Sequence, residues 1–468
     1  MRRSLFLVLL FLMLSVTPFA FAQNTELEAL AGVQIDFRNP GARAMGMGGA
    51  FLALADDASA AEANPAGLTI LRRPEVSLEL RHALMSQEMA VTGVYPEIET
   101  AEFKEWSRTA EVQFASIVIP RGNWAAALYY HHPVNYTNSA TILPQAGQNV
   151  PQFFFLNDPT GNQGPISEAE CRQTPALCLM ATTFPFFTTV EVDLKTAGLA
   201  LAWKQGPVSL GVSGRYQRFR EGAFTFRVSP DFQPASILAQ GTLSGDAQGE
   251  PDWEDDFTFA AGFKWELGPS FSVGGVYKQG PEFPAPVFLQ NVLAGDTGFT
   301  QLQDVKFHAP DTMGIGIAWR PIPVLTISAD AVEVTYSNLT DNMTSSTFGV
   351  QPEDLKTDDV TEIHIGAEYF FTTRIPFAVR AGWWREPGHS MYFAGPLTCS
   401  HIPEIPEGFN RSQCIANRTT LAIFFPEPED QDHISYGVGL AWPNFQIDAA
   451  YDTSDRFKVG SLSAVYRF

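Results

Sequence analysis

Residues 312–336 read TMGIGIAWRPIPVLTISADAVEVTY. Two alternating runs, Thr312–Arg320 and Val324–Tyr336, flank Pro321-Ile322-Pro323. Successive strand side chains point to opposite faces, so a period of two predicts a β-hairpin rather than a helix. Trp319 stands just ahead of the turn. An aromatic there suits a boundary between apolar and wet surroundings.

The same pattern continues on both sides of this hairpin. Upstream it occupies Glu75–Leu84, 110–119, Trp124–His132, Val190–Lys204, Val208–Arg220, Phe257–Leu267 and Phe271–Lys278. Downstream it occupies Val360–Phe371, Ile375–Arg385, His433–Trp442, Phe445–Asp452 and Phe457–Phe468. With the hairpin itself the total is fourteen, an even number, as in single-chain bacterial outer-membrane barrels. Short turns alternate with long connections at 85–109, 133–189, 221–256, 279–311, 337–359 and 386–432, and only the connection near Thr453–Arg456 breaks the rule. Outer-membrane barrels sort their connections this way, with short turns on the periplasmic side and long loops outside. A soluble sandwich has no reason to. Trp203, Trp265, Trp319, Phe370 and Trp442 each precede a short turn, which predicts an aromatic girdle. The expected fold is all-β: a monomeric 14-stranded antiparallel transmembrane β-barrel in the bacterial outer membrane, spanning residues 71–468. Phe468, with Tyr466, Ala464 and Leu462 on its face, resembles the terminal signal read by the barrel-assembly machinery.

Bulk properties agree. Residues 1–22 read as a signal peptide, with Arg2 and Arg3 before an apolar core and Ala20-Phe21-Ala22 at the cleavage site. An uncleaved anchor helix is the alternative. Hydrophobic residues make up 45% of the chain, yet no later stretch has the roughly 18 consecutive apolar residues a spanning helix needs. A net charge of −21 argues against a nucleic-acid partner. The acidic surface is read as solvated, with cation bridges to neighbouring lipopolysaccharide as a lesser alternative. Cys171 with Cys178 and Cys399 with Cys414 form two locally spaced pairs in an exported chain, so two disulfides are expected.

Residues 36–68 lie before the first strand and are rich in small side chains. Alone, they read equally as a plug or as a Gly-rich lead-in to a β domain. GARAMGMGGAFLALADDASAAEANPAGL (41–68), with its Asn64-Pro65-Ala66 triplet, resembles the hatch of outer-membrane long-chain fatty-acid transporters of the FadL type. PDTMGIGIAWRPIPVLTISADAVEVTYSNL (310–339) resembles the middle hairpin of that family, and EIHIGAEYFF (362–371) with PFAVRAGWW (376–384) a later one. The resemblance covers most of the mature chain. It implies that residues 23–70 form a hatch inside the lumen, with Gly46, Gly48, Gly49, Asn64, Pro65 and Ala66 as its key positions. It further implies passive uptake of hydrophobic small molecules: capture among outer loops, an apolar lumen pocket, hatch movement, and lateral exit by a kinked strand. Long-chain fatty acids are the first expectation, with aromatic hydrocarbons or other lipids behind. A similar N-terminal pattern occurs in PorV-type outer-membrane components of a protein-secretion system, and that reading stays open.

No enzyme is expected. The eight histidines are scattered, and no GxSxG, HExxH or P-loop is present, so neither a metal nor a cofactor is called for. Two outer loops are unusually apolar. One carries Phe153, Phe154 and Phe155; the other carries Phe283, Phe288 and Leu289. Such patches mark ligand capture, or else a lid of loops packed on one another. Strand parity turns Arg215, Lys264, Arg380, Glu362, His364 and Glu368 inward. Most such groups would pair among themselves. A cation left free of a carboxylate could anchor a fatty-acid head group, and Arg215, Lys264 and Arg380 are the candidates.

Overall fold

The computed structural model describes residues 38–89, 103–142, 186–228, 252–284, 306–339, 350–399 and 427–468, with shorter loop pieces between them. The signal-peptide reading of 1–22 lies outside the described residues.

The barrel strands are β1 (Glu75–Met89), β2 (Phe103–Arg121), β3 (Trp124–Ile142), β4 (Phe186–Gln205), β5 (Val208–Val228), β6 (Glu254–Glu266) and β7 (Phe271–Lys278). They continue as β8 (Thr312–Ile322), β9 (Leu325–Val334), β10 (Val360–Phe371), β11 (Phe377–Glu386), β12 (Gln431–Ala441), β13 (Phe445–Thr453) and β14 (Phe457–Arg467). Each pairs antiparallel with its neighbour in sequence. The pairing of β1 with β14, from Glu75↔Arg467 to Met85↔Phe457, closes the ring. Closure removes both sheet edges, so the backbone donors of the strands are satisfied without water.

Burial alternates along β8 from Thr312 to Trp319 and along β12 from Gln431 to Leu440. Met313, Ile315, Ile317 and Trp319 are exposed on β8, and Ile434, Tyr436, Val438 and Leu440 on β12, with Val438 57% exposed. Exposed apolar residues of this kind on most of the strands are untenable in water and are the lipid-facing band of a transmembrane barrel. No helix among the described residues is long and apolar enough to cross a membrane; the strands cross instead. The hairpin turns follow the sequence: Gly122 and Gly206 take φ of +64° and +60°, which an L side chain resists.

The ladders run further than period two predicted. β2, β3, β4 and β5 extend into 103–109, 133–142, 186–189 and 221–228, expected as loop. Above the apolar belt neither face of a strand meets lipid, so the alternation fades while backbone pairing continues. Loop ribbons also form, such as Gln152–Asn157 with Cys178–Thr182 and Glu282–Pro284 with Lys306–His308. Cys399 and Cys414 are joined in a disulfide. The Cys171–Cys178 pairing lies outside the described residues.

Candidate functional site

The N-terminal segment lies within the ring of strands. It forms helix α1 (Ala42–Gly46), helix α2 (Ala60–Ala63) and a 3-10 turn at Pro65–Ile70. Ala42, Met47, Phe51, Ala53, Ala58, Ala61, Asn64 and Leu68 have no exposed surface. Asn64 organises its end. The Asn64 amide donates to the carbonyls of Leu52 (2.9 Å) and, on β6, Phe263 (3.0 Å), while Oδ1 accepts from Ala66 N at 3.2 Å. Pro65, at the first helical position, has no N–H to leave unsatisfied.

The wall receives this segment on glycines. A Cβ at Gly211 of β5 would strike Ala66 N, and one at Gly262 of β6 the Asn64 side chain. A Cβ at Gly274 of β7 would strike Leu52 O, and at Gly366 and Gly382 of β10 and β11, Met47 O and Gly48 N. Gly262 faces Gly211 and Gly366 faces Gly382 in cross-strand register. From the segment's side, a Cβ on Gly48 would sit 2.9 Å from Trp383 N and one on Gly49 2.8 Å from His364 Nδ1. Sequence reading marked Gly46, Gly48 and Gly49 but missed their wall counterparts. The available signal was glycine at inward parity on strands that are otherwise polar inside.

Polar ties hold the segment in a sorted way. Acceptors on β1, β9, β10 and β13 meet its donors: Glu79 takes Gly41 N (2.6 Å), Asp330 takes Phe51 N and Leu52 N (2.6 and 2.8 Å), Glu368 takes Arg43 (2.9 Å) and Asp452 takes Arg38 (3.0 Å). Donors on β5, β6 and β7 meet its acceptors. Arg215 and Lys278 each lie 3.2 Å from Glu62, and Lys264 bonds the Leu54 carbonyl. Burial pushes the Glu62 carboxyl up, but Arg215, Lys278 and His131 outweigh it and hold it at about 2. Burial dominates at Asp57 and raises it despite Arg43 and Ser59.

Arg215, Lys264 and Arg380 do point inward, and the two arginines are paired with carboxylates. Arg215 meets Glu62, Lys264 caps a carbonyl, and Arg380 is held by Glu368 (2.6 Å) and Asp448 (2.8 Å). A buried cation needs a partner, and the segment or the wall supplies one.

The loop positions fare differently from one another. Phe283 is fully buried, and with Phe307 it stacks on Phe219 at centroid distances of 4.6 and 4.8 Å. It is therefore part of a lid, not an exposed patch. Phe288 is half-buried. The backbone of Phe288 and Leu289 pairs with 238–239 and 300–301. Phe153, Phe154 and Phe155 lie on the Gln152–Asn157 ribbon; their side chains and that of Leu289 lie outside the described residues.

One seam in the wall is incomplete. The described β2–β3 ladder stops at Phe114↔His131, although both strands run on. Pro133, which has no N–H, sits where the β3–β4 register shifts between His131 and Val134. Side chains bridge the gap instead. Glu111 of β2 lies 2.7 Å from His132 Nδ1 and accepts from Asn135 at 2.8 Å, and Gln113 donates to His132 O. Among the described residues no group of His, Cys, Asp or Glu is placed to hold a metal.

This architecture defines a transmembrane β-barrel of the bacterial outer-membrane class, with its N-terminal segment packed against the strands. Solved structures share the fold. A Pseudomonas aeruginosa FadL homologue matches with a TM-score of 0.57 at 14% identity, over 93% of this chain and 100% of that one. The Ralstonia pickettii toluene transporter TbuX matches at 0.54 and 14%, over 92% and 99%, and the P. putida toluene transporter TodX at 0.53 and 12%, over the same shares. No family model and no curated protein sequence matches the chain.

Proposed function

We propose that the chain is a passive outer-membrane channel for hydrophobic small molecules, with long-chain fatty acids as its first ligands. The observation that carries this is the conjunction of a filled lumen with an incomplete wall seam. An N-terminal segment packed against the inner faces of the described strands leaves less room for hydrated solutes than an open porin would. The break in the β2–β3 ladder, bridged by side chains alone, is where an apolar molecule would leave for the lipid without crossing the whole barrel. The Phe219–Phe283–Phe307 stack lies among the loops, where capture would begin. The fold's company, which includes structures described as toluene transporters, supports the same ligand class. Fatty acids come first because residues 41–68 and 310–339 resemble the corresponding stretches of FadL-type transporters.

The test is binding of labelled oleate to purified protein in detergent micelles. Saturable binding is expected. Phe283→Asp with Phe288→Asp should weaken it about tenfold or more, since a carboxylate in an aromatic stack is unpaired. Absence of binding to oleate and to toluene alike would refute the uptake reading.

A further inference from the structure

Glu221, on β5, is 3% exposed, and among the described residues neither of its carboxyl oxygens has a hydrogen-bond partner. The other buried carboxylates among the described residues each meet a cation, a histidine, a hydroxyl or a backbone N–H. A buried polar group left unmet costs free energy, so the exception calls for a reason. Glu221 shares the inward face of β5 with Arg215, Gln217 and Phe219, all of them buried. Arg220, next in sequence, points to the other face and meets Glu191. Across the β4–β5 ladder Glu221 faces Val192 and Phe219 faces Leu194, and Leu194 pairs in turn with Val134 of β3. Val134, Val192 and Leu194 are buried, and Phe283 and Phe307 stack on Phe219. Glu221 is therefore a lone acceptor at the edge of an apolar patch that the aromatic stack completes, toward the loop end of the strands.

We propose that Glu221 is a specificity-determining acceptor, which takes a hydrogen bond from a hydroxyl carried by an otherwise apolar ligand, such as a long-chain alcohol or a hydroxylated fatty acid. This rests on the uptake reading and narrows it. The apolar patch meets the hydrocarbon and the carboxyl meets the one polar hydrogen, a division of roles usual in small-molecule sites. A ligand without a donor leaves the carboxyl unmet. A ligand carboxylate brought to Glu221 would add like charge where no cation answers it. An ammonium would pair with Glu221, but it costs more to strip of water than a hydroxyl does. Arg215, further along the same face, also sets positive charge on this wall already.

The experiment uses the full chain in detergent micelles, with oleyl alcohol and oleyl methyl ether as probes that share a chain and differ in the donor. The alcohol should bind on the order of tenfold more tightly. Glu221→Leu should erase that ratio, and Glu221→Gln, which keeps an acceptor oxygen, should retain most of it. Because Leu removes an unmet buried carboxyl, it should also raise the melting temperature of the barrel. A ratio that survives Glu221→Leu overturns the proposal. So does a Leu variant that melts lower or fails to fold, since the carboxyl would then be serving the fold. Tighter binding of oleylamine than of the alcohol would overturn the choice of hydroxyl. Binding of both probes without preference would sink this inference and leave uptake standing; binding of neither, nor of oleate and toluene, would end both.

Discussion

At the residue scale the plug is seated by atoms that are missing. Gly382 and Gly366 face one another across β10 and β11, and backbone of residues 47–48 fills the space their side chains would take. Gly382→Ala should displace the segment by overpacking, at about 1–3 kcal/mol. The barrel should still show heat-modifiable gel mobility while small-ion leak in planar bilayers rises; unchanged leak would mean the contact is slack. Titration of the segment gives a second expectation. Glu62, held at about 2 against an ordinary 4.5, stabilises the seat fully above its unfolded value and loses that progressively as pH falls from about 4.5 through about 2. Asp57 is raised, so acidification relieves its cost instead. These two groups should therefore leave the plug in place from pH 7 to pH 4. Leak that climbs across that window in wild type and not in Glu62→Gln would contradict the assignment.

At the scale of elements, β3 is the strand that differs. Its lower part pairs on both sides, and beyond His131 it pairs only with β4. Pro133→Ala restores a backbone donor at the break. If the seam is the exit, oleate delivery into lipid should slow several-fold while equilibrium binding is retained; parallel loss of both would point to a structural role for the proline. Loops are the second element-scale matter. The Cys399–Cys414 bridge pins one of them, and non-reducing peptide mass spectrometry should show Cys171–Cys178 pinning another. Free thiols there, or a cross-pairing, would remove that expectation.

For the whole molecule, closure and plugging are separable. The ring is made by strand pairing alone, whereas the lumen is filled by a segment tied to it through side chains and glycine seats. A variant lacking residues 36–66 should still insert as a barrel and should leak ions strongly. Wild-type-like conductance in that variant would show that the lumen is blocked by something else.

The strands, their number and their facing could be read from the chain, because lipid on one side and a packed lumen on the other impose a period of two that needs no knowledge of partners. Arg215, Lys264 and Arg380 were placed inward for this reason. The resemblance also marked Asn64-Pro65-Ala66 as key positions. What the three cations bind was not legible. Glu62 is 153 residues from Arg215, and only ring closure brings α2 against β5 and β7. The glycine pairs were hidden likewise, since a seat exists only when another backbone lies in it. The broken seam depends on register across two neighbouring strands, which no single strand's alternation records. Sequence determined which face each residue shows; the tertiary structure alone decided what stands opposite it, because contacts across a lumen join residues that covalent order keeps far apart.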